Sequence, residues 1–299
     1  MIQKCPFCLG NLSTSTPYPG QNDTTRRPAF RQIGICDCCG GGQALPAPLQ
    51  QDLDRFYSSG EYWHAAGNHS QLAHAASQAR IRLSVCLPYL DPNMQTSVAD
   101  IGAGHGFIGR ELARSGLMIS RYDCVEPDES AIAHATTFRL PFPFRNVSTI
   151  EKLESGFNLF FLNQVIEHVA DPLPLLEQII SRARPGAIVY VETPNSDYNF
   201  KSDVFPHTLF YTSQAFKFLG DHLFLETLSC EKFGLWPSPR HTGRGLMQRL
   251  ASRAMLASSR FGPSNVTSAL DRFIWRYDTV GQDKCIWLRW IFRIPGNRV

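Results

Sequence analysis

Two carboxylates, Asp100 and Glu126, each end an apolar run, and three glycines at alternate positions, Gly102, Gly104 and Gly106, follow the first of them. Glycines so spaced let a turn take backbone angles closed to other residues, and let a ligand touch main chain without meeting a Cβ. Gly104, Gly106 and Gly109 also satisfy the dinucleotide pattern GxGxxG, with Glu126 downstream. Asp100 argues for another ligand. A carboxylate placed where a pyrophosphate approaches repels it, whereas the sulfonium and ammonium of S-adenosylmethionine are attracted. Glu126 can then accept hydrogen bonds from both ribose hydroxyls. A plain tight turn with a surface acid is the poorer reading of three spaced glycines and two strand-end acids.

A second set of groups is thiols. Cys5-Pro6-Phe7-Cys8 and Cys36-Asp37-Cys38-Cys39 are two CxxC pairs with 27 residues between them. Two such knuckles present four thiolates, Cys5, Cys8, Cys36 and Cys39, to one tetrahedral zinc ion. Spacing favours Cys36 with Cys39, and Cys38 is the alternative ligand. A closed site of this kind is a structural staple, and the fold of the segment between the knuckles is expected to come from the metal.

For proton transfer there are two histidines. Methyl transfer needs an attacking atom aligned behind the methyl, and a base when the acceptor is a hydroxyl or a carbon acid. His207, in FPHTLFYTS, is the first candidate and His168 the second, with Tyr211 a weaker one. The competing reading of each histidine is a helix cap or a polar niche.

The elements that must position these groups alternate. A strand ending at Asp100 leads into a helix over 107–114, and the second strand covers 119–125. Asp128 caps a helix running through Ala135, and 138–149 reads as irregular. The continuous apolar run 157–162 is a buried strand whose carboxyl edge, Asn163 to His168, faces cofactor or substrate. Asp171 and Pro172 start a helix over 173–183, residues 184–186 turn, and 187–192 is the next strand. A helix over 213–219, a strand over 224–233 and a final antiparallel strand over 285–292 complete the sheet. In front stand a proline-marked linker from residue 46, a helix over 49–57, the aromatics Tyr62 and Trp63, read as packing, and a helix over 71–90. The expected fold class is therefore α/β: a Rossmann-like doubly wound, mostly parallel seven-stranded sheet with an antiparallel last strand, plus a small N-terminal zinc-binding module. The expected organisation is a zinc module over 1–45, linker and N-terminal helices over 46–90, a cofactor-binding core over 91–234, and a basic helical insertion with the final strand over 235–299.

The composition is that of an ordinary globular chain: 299 residues, 43% hydrophobic, enough for one large core. MIQKCPFC carries no basic segment followed by an apolar core, and nine cysteines without a secretion signal read as a reducing, cytoplasmic compartment. The net charge of +3 hides an asymmetry, because residues 240–299 hold eleven Lys or Arg against three Asp. The stretch 245–261 has Leu246, Met247, Leu250, Ala254 and Ala257 on one arc and Arg249, Arg253 and Arg260 opposite. Such a helix packs on the core and offers arginines to solvent or a substrate phosphate, with peripheral contact to an anionic membrane as the other option.

VADIGAGHG, CVEPD, FNLFFLNQVIEHVADP, RPGAIVYVETPN and FPHTLFYTSQAFKFLG, in that order, resemble the class I S-adenosylmethionine-dependent methyltransferases, in particular the ubiquinone-biosynthesis-like branch. CPFC to ICDCC followed by EYW resembles the zinc-binding front end of sugar C-methyltransferase relatives. The resemblance covers most of residues 1–234. It implies Asp100, Gly102, Gly104 and Gly106 around the methionine moiety, Glu126 on the ribose and Asn163 near the cofactor. Asn158 departs from the Asp usual there. Gln164 replaces an acid that in some relatives joins counterparts of Glu167 and His168 around a divalent metal, so no catalytic metal is expected. The larger sugar C-methyltransferases also continue into a further substrate domain, which is not expected of this chain, and this puts transfer of their sugar substrates in doubt. The expected activity is methylation of a small or carrier-linked metabolite, a glycan or natural-product precursor, without a nucleic-acid partner. The alternatives are an RNA methyltransferase gripping phosphates through zinc module and basic tail, a non-catalytic scaffold of the same fold and, more remotely, a dehydrogenase.

Overall fold

The structure is a computed structural model that describes residues 3–23, 26–58, 69–235 and 285–296. Three short strands open it: β1 (Leu12–Pro17), β2 (Gln32–Cys36) and β3 (Gly42–Leu45). Helices α1 (Gln50–Ser58) and α2 (His69–Cys86) follow. The alternating part is β4 (Thr96–Ile101), α3 (Phe107–Leu112), β5 (Ile119–Val125), α4 (Glu129–Thr136), β6 (Phe144–Val147), β7 (Phe157–Asn163), α5 (Pro172–Arg182) and β8 (Ala183–Pro194). Last come β9 (Leu209–Phe210), α6 (Ser213–His222), β10 (Glu226–Leu235) and β11 (Cys285–Arg293). Seven strands form one sheet in the order β10-β11-β8-β7-β4-β5-β6. β4 to β8 run parallel, and β11 is antiparallel to both its neighbours, β8 and β10. This is the doubly wound, mostly parallel sheet that the alternation of elements predicts. From β4 the chain winds outward through β5 and β6, then returns to β7 on the other side. The crevice beyond the carboxyl ends of β4 and β7 is therefore the topological switch point, where ligands bind in such sheets.

Period-two alternation assigns the two faces. Leu159, Phe161, Ile188 and Tyr190 pack with Ala79 and Leu83 of α2 and Phe107 and Ile108 of α3. Phe160, Leu162, Val189 and Val191 pack with Leu176 and Ile179 of α5 and Phe216 and Leu219 of α6. Local chemistry starts the helices. Asp128 accepts the Ser130 and Ala131 amides ahead of α4, Asp171 accepts that of Leu173 beside Pro172, and Thr212 accepts that of Ala215 ahead of α6. Trp290 of β11 is fully buried between Phe216 and Phe292, with centroids at 4.9 and 4.3 Å. Trp290→Ala is expected to cost about 3–5 kcal/mol of stability, read as a lowered denaturant midpoint.

One expectation needs correction. Residues 138–149 contain β6, whose four half-buried residues give no continuous apolar run. Residues 184–186 turn as expected, although within the bounds of β8: the pairing slips from Phe157–Ala183 to Leu159–Ile188, and Gly186 has a φ of 81°. β1, β2 and β3 join β9 in a second sheet around Tyr18, Phe30, Ile33, Ala44, Val204 and Phe210. Two of those six core residues come from beyond residue 200, so no local pattern shows them. No described helix is long and apolar enough to cross a membrane. Tyr62, Trp63 and the helix expected over 245–261 lie outside the described residues.

Candidate functional site

At the switch point Asp100 is 1% exposed; its Oδ2 accepts the Tyr122 hydroxyl at 2.7 Å, and its Oδ1 has no hydrogen-bond partner. Burial pushes this carboxyl up to about 7, against the opposing pull of Tyr122 and of the Arg82 charge. Asn163 Oδ1, at the end of β7, is also buried and unpartnered. Gly102, Gly104 and Gly106 have φ of 65°, 51° and 70°, angles that other residues rarely adopt. A Cβ on Gly102 would sit 2.4 Å from Val165 Cγ2, so Gly102→Ala is expected to cost roughly 1–3 kcal/mol, read as a fall in thermal midpoint. A Cβ on Gly106 would meet that of Ala135 at 2.5 Å, which makes this glycine also the contact between α3 and α4. Gly109 does the same for the Tyr122 ring that holds Asp100.

Glu126, at the end of β5, ties the turn together. Its Oε2 accepts the Gly104 amide at 2.8 Å and its Oε1 the Asp128 amide at 3.0 Å. Each oxygen keeps a second lone pair for a hydroxyl donor. Four residues of this region went unread in the sequence. Arg82 of α2 pairs with Glu192 at the end of β8, with Nε–Oε1 at 3.1 Å. Tyr190 donates to Glu192 at 2.6 Å, and Arg289 of β11 donates to the Tyr190 hydroxyl at 2.9 Å. Two guanidiniums around one buried carboxylate leave positive character suited to a ligand carboxylate. Apolar spacing along residues 71–90 does not single out Arg82.

Beyond β7, the turn Ile166–His168 meets the loop before β9. His207 Nδ1 lies 3.0 Å from Asp197 Oδ2, which also takes Lys201 Nζ at 2.8 Å. Burial works against the Asp197 charge, but His207 and Lys201 outweigh it and hold its carboxyl below the usual range. His168 stands against His207 with ring centroids 4.8 Å apart, and its Nδ1 is 2.6 Å from the Tyr57 hydroxyl. Burial, with His207 and Lys201 nearby, holds His168 well below the ordinary histidine value, so it is neutral. Glu167 is 1% exposed with both oxygens unpartnered, and burial pushes it up to about 8. Glu167, His168 and His207 bring ligand atoms within 4.8 Å of one another, close enough to share an ion; two adjacent residues could not show this third partner. Tyr211 donates its hydroxyl to the Ile166 carbonyl at 3.0 Å and is fully buried, so it acts as a brace. Asn158 bridges the Ser97 amide and the Gln95 carbonyl at the far end of the sheet.

The four thiols expected to converge do so. Cys5, Cys8, Cys36 and Cys39 have sulfurs within 4.8 Å of one another, with Cys5–Cys39 and Cys8–Cys36 both at 3.5 Å. The Phe7 and Gly41 amides point at the sulfurs of Cys5 and Cys39, as they would at thiolates. Cys38 is exposed and outside the cluster. The donor set fits one tetrahedral zinc.

A family model described as a methyltransferase domain matches residues 69–257, well over half of the chain. The ubiquinone biosynthesis O-methyltransferase of Caulobacter vibrioides is 29% identical over 157 residues, which cover 48% of this chain and 62% of that one. Its counterpart in Rhizobium rhizogenes is 31% identical over 159 residues, covering 49% and 64%. The chain thus spans less than two thirds of the length of these relatives. Two solved structures share the fold. The (4+2) cyclase SpnF is 16% identical with TM-score 0.51, over 84% of this chain and 99% of that one. A chain of the Haloferax volcanii complex between the Trm112 methyltransferase activator and a methyltransferase is 14% identical with TM-score 0.52, over 78% and 96%.

Proposed function

Because the chain belongs to this methyltransferase family, as a class I S-adenosylmethionine-dependent enzyme, we propose that it methylates a hydroxyl or acidic carbon of a small or carrier-linked metabolite, with His207 taking the proton. Glycan and natural-product precursors are the leading acceptor class. The observation that carries the reading is the Asp197–His207 pair at 3.0 Å on the substrate side of the sheet. The carboxylate charge this close to Nδ1 favours the tautomer protonated there, although the two atoms are out of hydrogen-bond alignment, and leaves Nε2 for the acceptor proton. His168, neutral and engaged by Tyr57, is the poorer base. Glu167, largely protonated at neutral pH, can donate to an acceptor oxygen.

Bound S-adenosylmethionine supplies a methyl group activated by a sulfonium. Asp100 and Asn163 offer buried acceptors to its ammonium, Arg82 a guanidinium to its carboxylate, and Glu126 its remaining lone pairs to the ribose. Cys5, Cys8, Cys36 and Cys39 would hold a structural zinc ion, a reading that the convergence of their sulfurs supports. The resemblance to enzymes named O-methyltransferases supports oxygen as the accepting atom. The test is transfer of label from methyl-labelled S-adenosylmethionine into a panel of hydroxylated metabolites, nucleotide sugars and phenols among them. Label appearing only in RNA or protein would overturn the acceptor class.

A further inference from the structure

The four-cysteine module takes the last strand of its sheet from the segment that carries His207. β9 pairs antiparallel with β3, Gly42 opposite Phe210 and Gln43 opposite Leu209, and the Ala44 amide donates to the Thr208 carbonyl at 2.8 Å. Three further contacts hold the same segment. Tyr18, buried just after β1, donates its hydroxyl to the His207 carbonyl at 2.9 Å. Thr212 donates its hydroxyl to the carbonyl of Cys39, itself one of the four thiol residues, at 2.7 Å. Phe7, inside the first knuckle, lies against the Tyr211 ring at 4.9 Å between centroids.

The other side of the segment is fixed as well. The Thr208 amide and hydroxyl both donate to the Glu167 carbonyl, at 2.8 and 2.9 Å, and Tyr211 reaches Ile166. Residues 207–212 are thus clamped between the module and the Glu167–His168 turn. An ion on four thiolates couples metal binding to local folding and fixes where the Cys39 carbonyl stands. That carbonyl holds Thr212, which caps α6.

We propose that the four-cysteine module is the positioning element for His207, acting through Tyr18 and the Cys39–Thr212 contact, so that the ion it holds sets the geometry of residues 207–212. The consequence for turnover rests on His207 being the base; the structural coupling does not.

The experiment uses the full chain. Zinc is quantified by release, and amide hydrogen exchange is followed before and after removal by a strong chelator, with titration of S-adenosylhomocysteine alongside. Removal is expected to speed exchange of residues 207–212 roughly tenfold or more and to leave β4 and β5 nearly unchanged. Re-addition of zinc is expected to restore protection, with affinity for S-adenosylhomocysteine altered by no more than about twofold. Tyr18→Phe, which deletes one hydroxyl, is expected to keep its zinc and its KM for S-adenosylmethionine while kcat falls roughly 10- to 100-fold. Absence of bound ion, unchanged exchange at 207–212, or an equal rise throughout the large sheet would each overturn the proposal. If His207→Ala retains full turnover while exchange responds to zinc, the base assignment fails and the coupling stands. If His207→Ala abolishes turnover while exchange is indifferent to zinc, only the coupling fails.

Discussion

Asp100→Asn is expected to weaken S-adenosylmethionine binding roughly 10- to 100-fold, the effect of losing a charge-assisted hydrogen bond worth about 1.5–3 kcal/mol. It should also flatten the pH dependence of binding. Asp100 is buried and pushed up to about 7, so near neutrality the unliganded protein holds it partly protonated. A ligand ammonium prefers the carboxylate. Affinity should therefore climb as pH rises through 7 and level off once the group is ionised, with proton release on binding below that point. The same shift has the opposite sign for the unliganded fold. A folded-state value raised above the ordinary 3.8 contributes stability that is fully present below pH 4 and lost as pH rises through 7. Calorimetric titration of wild type and Asp100→Asn from pH 6 to 8, in buffers of differing ionisation enthalpy, reads both effects. Equal affinities, or a wild type whose affinity does not change with pH, would remove Asp100 from the ammonium site.

His207→Ala should lower kcat roughly 100- to 10,000-fold, the range of a lost general base, while binding of S-adenosylmethionine stays unchanged. Asp197→Asn should reproduce much of that loss although it leaves the imidazole in place, because the carboxylate charge 3.0 Å from Nδ1 favours the tautomer that accepts the proton. His168→Ala should cost less, since a histidine already held neutral by burial and by its neighbours has little basicity to lose. Single-turnover assays at saturating S-adenosylmethionine with one fixed acceptor separate the three. Full turnover in His207→Ala would end its assignment as base.

Whatever was encoded within a few residues was legible beforehand. Asp100 with three glycines at alternate positions is one turn, Phe157–Asn163 is one uninterrupted apolar strand, and each CxxC is one knuckle. The groups that escaped notice meet their partners across long stretches of chain. Arg82 meets Glu192 over 110 residues and Tyr57 meets His168 over 111. β9 finds β3 from the far side of the core, and nothing in two residues, Leu209–Phe210, marks a strand. Asp197 and His207 are near in sequence, but the loop between them has no period that would place both on one side. Gln164 takes a left-handed φ of 58° at the end of β7, a backbone choice imposed by its surroundings and silent in its identity.

The position of β11 bears on how the molecule is made. β11 lies between β8 and β10, yet it emerges from the ribosome after both, and it starts only at Cys285 whereas β10 ends at Leu235. Until then β10 has no strand partner among the described residues, and β8 presents an edge where Val189 and Val191 later face Phe292 and Trp290. Open hydrophobic edges are where nascent chains pair with the wrong partner. A chain stalled near residue 284 should therefore be the intermediate most dependent on chaperones, and slowing translation across this stretch should lower the yield of folded protein more than slowing it anywhere earlier.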